Sequence, residues 1–289
     1  MVSDGTYQVI ITPGEPLRFN TYFEDYVKPL QHFFCFVMGQ TVFPDDILGV
    51  KEGFQTYPTS RYLQKKGISR SSTSVRYSVD NRHLMRDKDP ICYFYLSDVE
   101  DDIEQIFNDW FRFVEKHTPT AELFFDSIYY SEQPFPSITL LNLGRALEAY
   151  HRGSDSYTNR YIDKDDFEGY YEELVGTIRD GFPRPFRDHL EKGTFRFANR
   201  KSLRRRLKEL FRDQEEHLET IYDGSVSVGQ LVDDVVGLRN DLTHLTDESV
   251  RGLDDKSKEG HNTRLRILIE LIIFDEVGMP RDGYFCRFK

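Results

Sequence analysis

The sequence has few cysteines and no long hydrophobic run, and each shortage excludes a class of protein. Its three cysteines, Cys35, Cys92 and Cys286, are odd in number and widely spaced, which predicts neither a disulfide framework nor a metal site among them. No segment approaches the roughly 20 apolar residues that span a bilayer, and the N-terminus lacks the basic and apolar regions of a signal peptide. We therefore expect a cytoplasmic protein with reduced thiols and no membrane association.

Positive charge is also scarce, since the net charge is −11 at pH 7. A diffuse acidic surface repels phosphate backbones, so non-specific nucleic-acid binding is not the expected main activity, and a nuclease would need local basic patches. The sequence has no glycine-rich phosphate loop and no two histidines at the short spacing of a ligand pair. His32 and Cys35, three residues apart in an apolar helix, are more simply core. We predict no metal site and no cofactor.

The composition is that of a folded protein, because 38% of the 289 residues are hydrophobic and 14% aromatic. An isolated strand is predicted at 7–12, and short β-like segments separated by Gly, Pro and Asp occupy 41–96. Helical periodicity dominates from Ser97, which resembles an N-cap. We predict a mainly α protein, with a small α+β region at 1–96 and a five- or six-helix bundle at 97–289. The predicted helices are 22–38, 97–114, 118–130, 137–152, 163–179, 186–190, 203–212, 231–245 and 257–274.

The stretch at 231–245, LVDDVVGLRNDLTHL, organises the rest of the chain. Its apolar residues recur at the spacing of one buried helix face, while Arg239, Asn240 and His244 lie off that face. Asn240 and His244 are four residues apart and lie on one side of the helix. Arg239 and His244 are roughly 140° apart around it. The two can share a site only through the reach of arginine, a local distortion, or a second copy of the helix.

This stretch carries a resemblance to a known family. RNDLTH at 239–244 is similar to the signature of the HEPN superfamily of all-helical ribonucleases and toxins, an arginine followed after four to six residues by a histidine. FCFVMGQTV at 34–42, LLNLGRALEAYHR at 140–152, the basic helix near Leu203 and the apolar helix at 265–277 resemble the ApeA-type HEPN proteins of anti-phage defence. Those proteins have a larger β-rich N-terminal domain, of which only the last part is expected here.

The resemblance implies RNA cleavage without a metal ion. The 2′-OH would attack the adjacent phosphorus, with His244 as general base or acid, Arg239 neutralising the phosphoryl oxygens, and Asn240 orienting the backbone or His244. Because the sequence has one such histidine, a full acid–base pair implies a homodimer that shares a cleft. The substrate would be RNA, with tRNA among the candidates, and the role would be abortive infection.

Two further groups of polar residues have a functional and a structural interpretation. Glu148 could position Arg239 or accept from the substrate, or it could be an ordinary ion-pair partner. His151 and Arg152 could contact phosphate. The one concentrated basic segment could be an RNA track or a solvated charged face. Its residues are Arg200, Lys201, Arg204, Arg205, Arg206 and Lys208.

Two alternatives to the ribonuclease stay open. A non-catalytic HEPN module could dimerise and bind RNA, nucleotide or a partner protein, although such a scaffold has no need to keep both Arg239 and His244. An inert bundle could instead use these residues as salt-bridged surface, with Arg239 paired to Asp234 or Asp241.

Overall fold

In the computed structural model the chain divides into two compact units, Met1–Tyr93 and Phe94–Lys289. The structure describes residues 9–12, 15, 17–44, 47–51, 71–75, 93, 99–129, 135–178, 181–222, 227–244, 254–286 and 288. Among these, the side chains of residues 19, 47–51, 71–75 and 242–244 are left undescribed.

The first unit begins with a helix, as the sequence predicts for 22–38. Helix α1 spans Phe19–Tyr22 and α2 spans Lys28–Val37, joined by a π-helical stretch at Phe23–Val27. The π stretch ends two residues before Pro29, which has no N–H to continue the regular ladder of hydrogen bonds. Gly39, with φ of 61°, follows the end of the helix, in a conformation that glycine adopts at no steric cost.

The two described strands of the first unit form an antiparallel pair. Strand β1, Ile47–Lys51, pairs with β2, Ser71–Val75, with Ile47 opposite Val75. The β-like segments predicted at 54–63 and 91–96 lie outside the described residues, apart from Tyr93. The predicted strand at 7–12 is wrong where it is described, because 9–12 have no regular secondary structure and Ile10 is exposed. Alternation of apolar residues does not by itself supply a pairing partner.

The second unit is helical, which confirms the prediction of a mainly α protein. None of the described helices is both long and apolar enough to cross a membrane. Its α-helices are α3 Ile103–Lys116, α4 Thr118–Ile128, α5 Pro136–Gly153, α6 Lys164–Ile178, α7 Arg184–His189, α8 Leu203–Asp213, α9 Glu215–Tyr222, α10 Val228–His244, α11 Asp255–Val277 and α12 Asp282–Cys286. A π-helical turn, Leu190–Thr194, and a 3-10 turn, Phe195–Phe197, follow α7.

Helix α5 lies at the centre of the unit and packs against α4, α8, α10 and α11. Its apolar stripe, including Leu140, Leu143 and Leu147, is fully buried. Helix α11 is buried on nearly all sides between Leu265 and Val277, as expected for a helix covered by neighbours around its circumference. Asp254 caps its start by accepting from the Ser257 N–H at 2.7 Å. The core therefore holds α5, α8, α10 and α11 in fixed contact.

The start of α3 and two short helices differ from the sequence prediction. Helix α3 begins at Ile103 rather than near Ser97, because a turn intervenes in which the Asp102 N–H donates to the Val99 carbonyl at 3.0 Å. Helices α9 and α12 were not predicted. Each buries a single apolar residue, Leu218 or Tyr284, so neither has a repeating apolar pattern.

Candidate functional site

Helix α10 carries the candidate residues on a face that the core leaves open. Leu231, Val235 and Leu238 are buried against the bundle, as their spacing predicts. Arg239 and Asn240 are exposed at the C-terminal part of the same helix. The predicted division between an apolar stripe and a polar site face is therefore present over the described turns of α10.

His244 is the last residue of α10, and its side chain lies outside the described part of the structure. Its backbone position is one turn beyond Asn240 and five residues beyond Arg239. At a rise of about 1.5 Å per residue, the backbone of His244 lies roughly 7.5 Å along the axis from that of Arg239. The convergence of the guanidinium and the imidazole on one substrate stays a prediction.

Glu148, on the neighbouring helix α5, lies beside Arg239. Its Oε2 is 4.0 Å from Arg239 Nη2, and its Oε1 accepts from Arg152 Nη2 at 2.6 Å. The Glu148 side chain is only 13% exposed, whereas that of Arg239 is 44% exposed. A largely buried carboxylate thus lies between two accessible arginines, and its shorter contact is with Arg152. The role of Glu148 toward Arg239 remains a prediction, although the contact that this role needs is present.

Arg206 is a third arginine of this region and has a different environment. It is buried on α8, and its Nε donates to the Lys201 carbonyl at 3.0 Å. Burial lowers its pKa, and the positive charge of Arg152 lowers it further. Its Nη1 is buried without a hydrogen-bond partner among the described residues. Arg206 therefore belongs to the interior, a distinction that its place in a run of cations did not predict.

Most of the basic segment is engaged in contacts within the protein. Lys201 and Arg205 both bind the Glu209 carboxylate at 2.9 Å, and Arg204 pairs directly with Asp233 on α10. Arg200 lies 4.8 Å from the centre of the Phe197 ring. Of the six residues, Lys208 is exposed and has no ion pair with a described residue. The segment is closer to a structural ion-pair network than to an open track of cations.

Glu209 also binds His151, which joins α8 to α5. His151 Nε2 is 2.8 Å from Glu209 Oε2, and the imidazole stacks on Tyr157 with ring centres 4.4 Å apart. Burial alone would raise the pKa of Glu209, but the bonds from Lys201, His151 and Arg205 outweigh it and lower the pKa to about 2. The pKa of His151 is lowered, chiefly by burial. His151 is completely buried, so the phosphate contact considered for it is not available; Arg152 is exposed.

Within the described part of the chain, no group of three or more His, Cys, Asp or Glu side chains is placed to hold a metal ion. His32 and Cys35 of the first unit are both buried. The Cys35 sulfur accepts from the Val42 N–H at 3.2 Å, and burial, followed by the charge of Lys28, lowers the pKa of His32 to about 3. Both residues belong to the core of that unit.

Comparison with known proteins places the candidate site within one family. No curated protein and no solved structure matches the chain. Residues 141–283 match the family model described as Apea-like HEPN. The matched range includes Glu148 on α5, the basic helix α8, and the whole of α10 with Arg239, Asn240 and His244. The second unit of this chain therefore contains an Apea-like HEPN domain.

Proposed function

We propose that this protein is an endoribonuclease of the HEPN type that acts in abortive-infection defence against phage. The proposal is supported by the family match and by the motif RNDLTH, which runs to the end of α10. The observation that carries it is the position of Arg239. Its side chain is 44% exposed, and its guanidinium lies 4.0 Å from the largely buried carboxylate of Glu148. A phosphate can therefore reach the guanidinium, whose position is restricted by the neighbouring helix α5.

The chemistry follows from the residue types. The 2′-oxygen of the RNA forms a bond to the adjacent phosphorus, the bond to the 5′-oxygen breaks, and the products are a 2′,3′-cyclic phosphate and a 5′-OH. His244 removes the proton from the 2′-OH or donates one to the leaving oxygen. Arg239 neutralises the phosphoryl oxygens as negative charge increases. Asn240 orients the RNA backbone or the imidazole with its amide.

The reaction needs both a base and an acid, and each chain supplies one motif histidine. Two copies of α10 related by a twofold axis would contribute the same residues from opposite sides. Such a dimer also removes the angular separation of Arg239 and His244 on one helix, because each could act with its counterpart on the other copy. We therefore propose a composite site in a homodimer, with tRNA as one candidate substrate.

A non-catalytic module is the second candidate, and one observation favours it. The ion pairs of Lys201, Arg204 and Arg205 leave few cations of the basic segment for RNA, and the chain carries a net charge of −11. A domain with that surface could bind a partner protein through α10 instead of cleaving RNA.

Cleavage of a labelled structured RNA by the purified protein in excess EDTA separates the two candidates. We expect cleavage with cyclic-phosphate ends that is lost in His244→Ala and retained in Glu219→Ala, a change at an exposed position of α9 that serves as the control. Cleavage that requires a divalent metal, or that survives in His244→Ala, would contradict the mechanism. RNA binding without cleavage by the wild type would favour the module. Expression of the same variants in a host tests for toxicity.

A further inference from the structure

Residues 161–178 and 181–197 form an arm that leaves several large apolar side chains uncovered. The arm contains α6, α7 and the π and 3-10 turns that follow α7. Tyr170 is 58% exposed and Phe186 is 48% exposed. The other exposed apolar residues of the arm are Tyr161, Ile162, Leu174, Phe182 and Phe197. Aromatic side chains in such density are typical of surfaces that another protein covers.

The arm has a folded interior and an anchored base. Helix α6 packs on the 3-10 turn, with Val175 and Ile178 buried, and the Tyr171 hydroxyl donates to the Glu191 carbonyl at 3.4 Å. At the base, the Asn199 amide holds the chain. Its Oδ1 accepts from the Ile162 N–H at 3.0 Å, and its Nδ2 donates to the Ile162 carbonyl at 2.9 Å. The exposed aromatics therefore belong to an ordered element.

The two layers of the arm carry opposite charge. Helix α6 has five carboxylates against one lysine. The segment at 184–197 has four cations against two carboxylates. An RNA or an anionic membrane would meet repulsion from α6. A second copy of the arm meets no such repulsion when a twofold axis places the acidic layer of each copy against the basic layer of the other. The same surface on both copies then supplies both the acidic and the basic half of the contact.

We propose that this arm is a self-association surface, in which α6 of one protomer pairs with the segment at 184–197 of a second. The inference deepens the proposed function by naming a surface that would hold the second protomer. It rests on that function only in the claim that the dimer completes a composite active site. The base of the arm continues directly into α8, whose Arg204 pairs with Asp233 on α10. The arm is thus connected along the chain to a helix that contacts the one carrying the candidate site.

Charge reversal on each layer, followed by mixing, tests the surface. Asp166→Lys with Glu168→Lys and Glu173→Lys makes both layers basic, and Arg184→Glu with Arg196→Glu makes both acidic; all five positions are exposed. By sedimentation equilibrium we expect a wild-type dimer, at least tenfold weaker association of each reversed variant alone, and recovery of a dimer when the two are mixed. Glu115→Lys with Glu216→Lys and Glu219→Lys, which changes the net charge as much as the acidic-layer variant but on exposed positions off the arm, should remain dimeric.

The outcomes distinguish this surface from the composite site. Dimers that persist in both reversed variants overturn the arm and leave the shared cleft intact. A wild type that is monomeric overturns the arm, and RNA cleavage by that monomer separately overturns the shared cleft. Reversed variants that become monomeric yet cleave at the wild-type rate support the arm and overturn the shared cleft. Thermal melting checks the fold, and Tyr170→Ser provides a second variant that should weaken the dimer without any charge change.

Discussion

Helices α8 and α10 pack against one another and use charge in opposite ways. Helix α8 has the densest run of cations, but Asp233 binds its Arg204 and Glu209 binds its Arg205. Helix α10 has a single arginine in its described part, and that arginine lies at 4.0 Å from a carboxylate whose shorter contact is with another residue. The density of charge along a helix therefore does not measure its availability to a ligand.

The physical basis of the difference is the cost of removing charge from water. Glu209 is buried, and an unpaired buried carboxylate costs several kcal/mol. Lys201, Arg205 and His151 offset that cost, so these groups hold the bundle together. Glu148 is also largely buried, but it meets Arg152 and Arg239 at the surface. An arginine–carboxylate contact therefore stabilises the fold at Glu209, whereas at Glu148 it leaves the Arg239 side chain accessible to solvent.

The largest expected effect is a contrast between one arginine of each helix. Arg239→Ala should lower the rate of RNA cleavage by about 10²- to 10³-fold, because it removes the donor that we propose neutralises the developing charge. Arg204→Ala, which breaks the pair with Asp233, should change the rate by less than about threefold, as expected for an exposed ion pair. Single-turnover kinetics measure both. Equal losses would show that the two helices do not differ in function.

The next effect is on stability. Glu209→Gln should lower the free energy of unfolding by about 3 kcal/mol at pH 7, since it removes the charge from a buried network. Urea denaturation measures this, with Glu219→Gln on an exposed position of α9 as control.

The same variant has a defined pH dependence. The pKa of Glu209 in the folded protein, about 2, lies below its ordinary value of 4.5. The stability that the Glu209 charge contributes is therefore fully present above pH 4.5 and declines as the pH falls toward 2. The difference in the free energy of unfolding between wild type and Glu209→Gln should therefore become smaller as the pH is lowered from 4.5 to 2. A difference independent of pH would mean that the charge of Glu209 is not what stabilises α8.

A smaller effect is expected at Glu148. Glu148→Gln should reduce cleavage by about tenfold, equivalent to about 1.4 kcal/mol, by loosening Arg239 while leaving the melting temperature nearly unchanged. A kcat loss with little change in KM would indicate a positioning role. Arg152→Ala removes the other partner of Glu148 and should cost less. If Arg152→Ala were the more damaging variant, Arg152 rather than Arg239 would bind the phosphate.

The smallest effect is expected for Lys208, an exposed cation of α8 that has no ion pair with a described residue. Lys208→Ala should weaken RNA binding by about two- to threefold and reduce the salt dependence of affinity by roughly one phosphate contact. Lys201→Ala should instead destabilise the fold, because Lys201 binds Glu209. Fluorescence anisotropy over a salt series measures the first effect. An unchanged slope would mean that α8 does not touch RNA.

Local patterns predicted the long helices well. The predicted ranges 137–152 and 203–212 correspond to Pro136–Gly153 and Leu203–Asp213, since a repeating apolar face is visible in the sequence. The exposed face of α10 followed from the same periodicity. Helices α9 and α12 escaped prediction, because one buried residue each is too little pattern to recognise. The strand at 7–12 failed because strand pairing is a non-local property.

The sequence by itself determined where the long helices run, which faces they bury, and that Arg239 and Asn240 lie off the apolar stripe of α10, because helical geometry relates residues three and four positions apart. Only the tertiary structure decided which charges meet. Glu209 finds His151 58 residues away, and Glu148 finds Arg239 across two packed helices. Such contacts depend on how the helices pack, and packing is set by the shape of the whole core rather than by any local stretch.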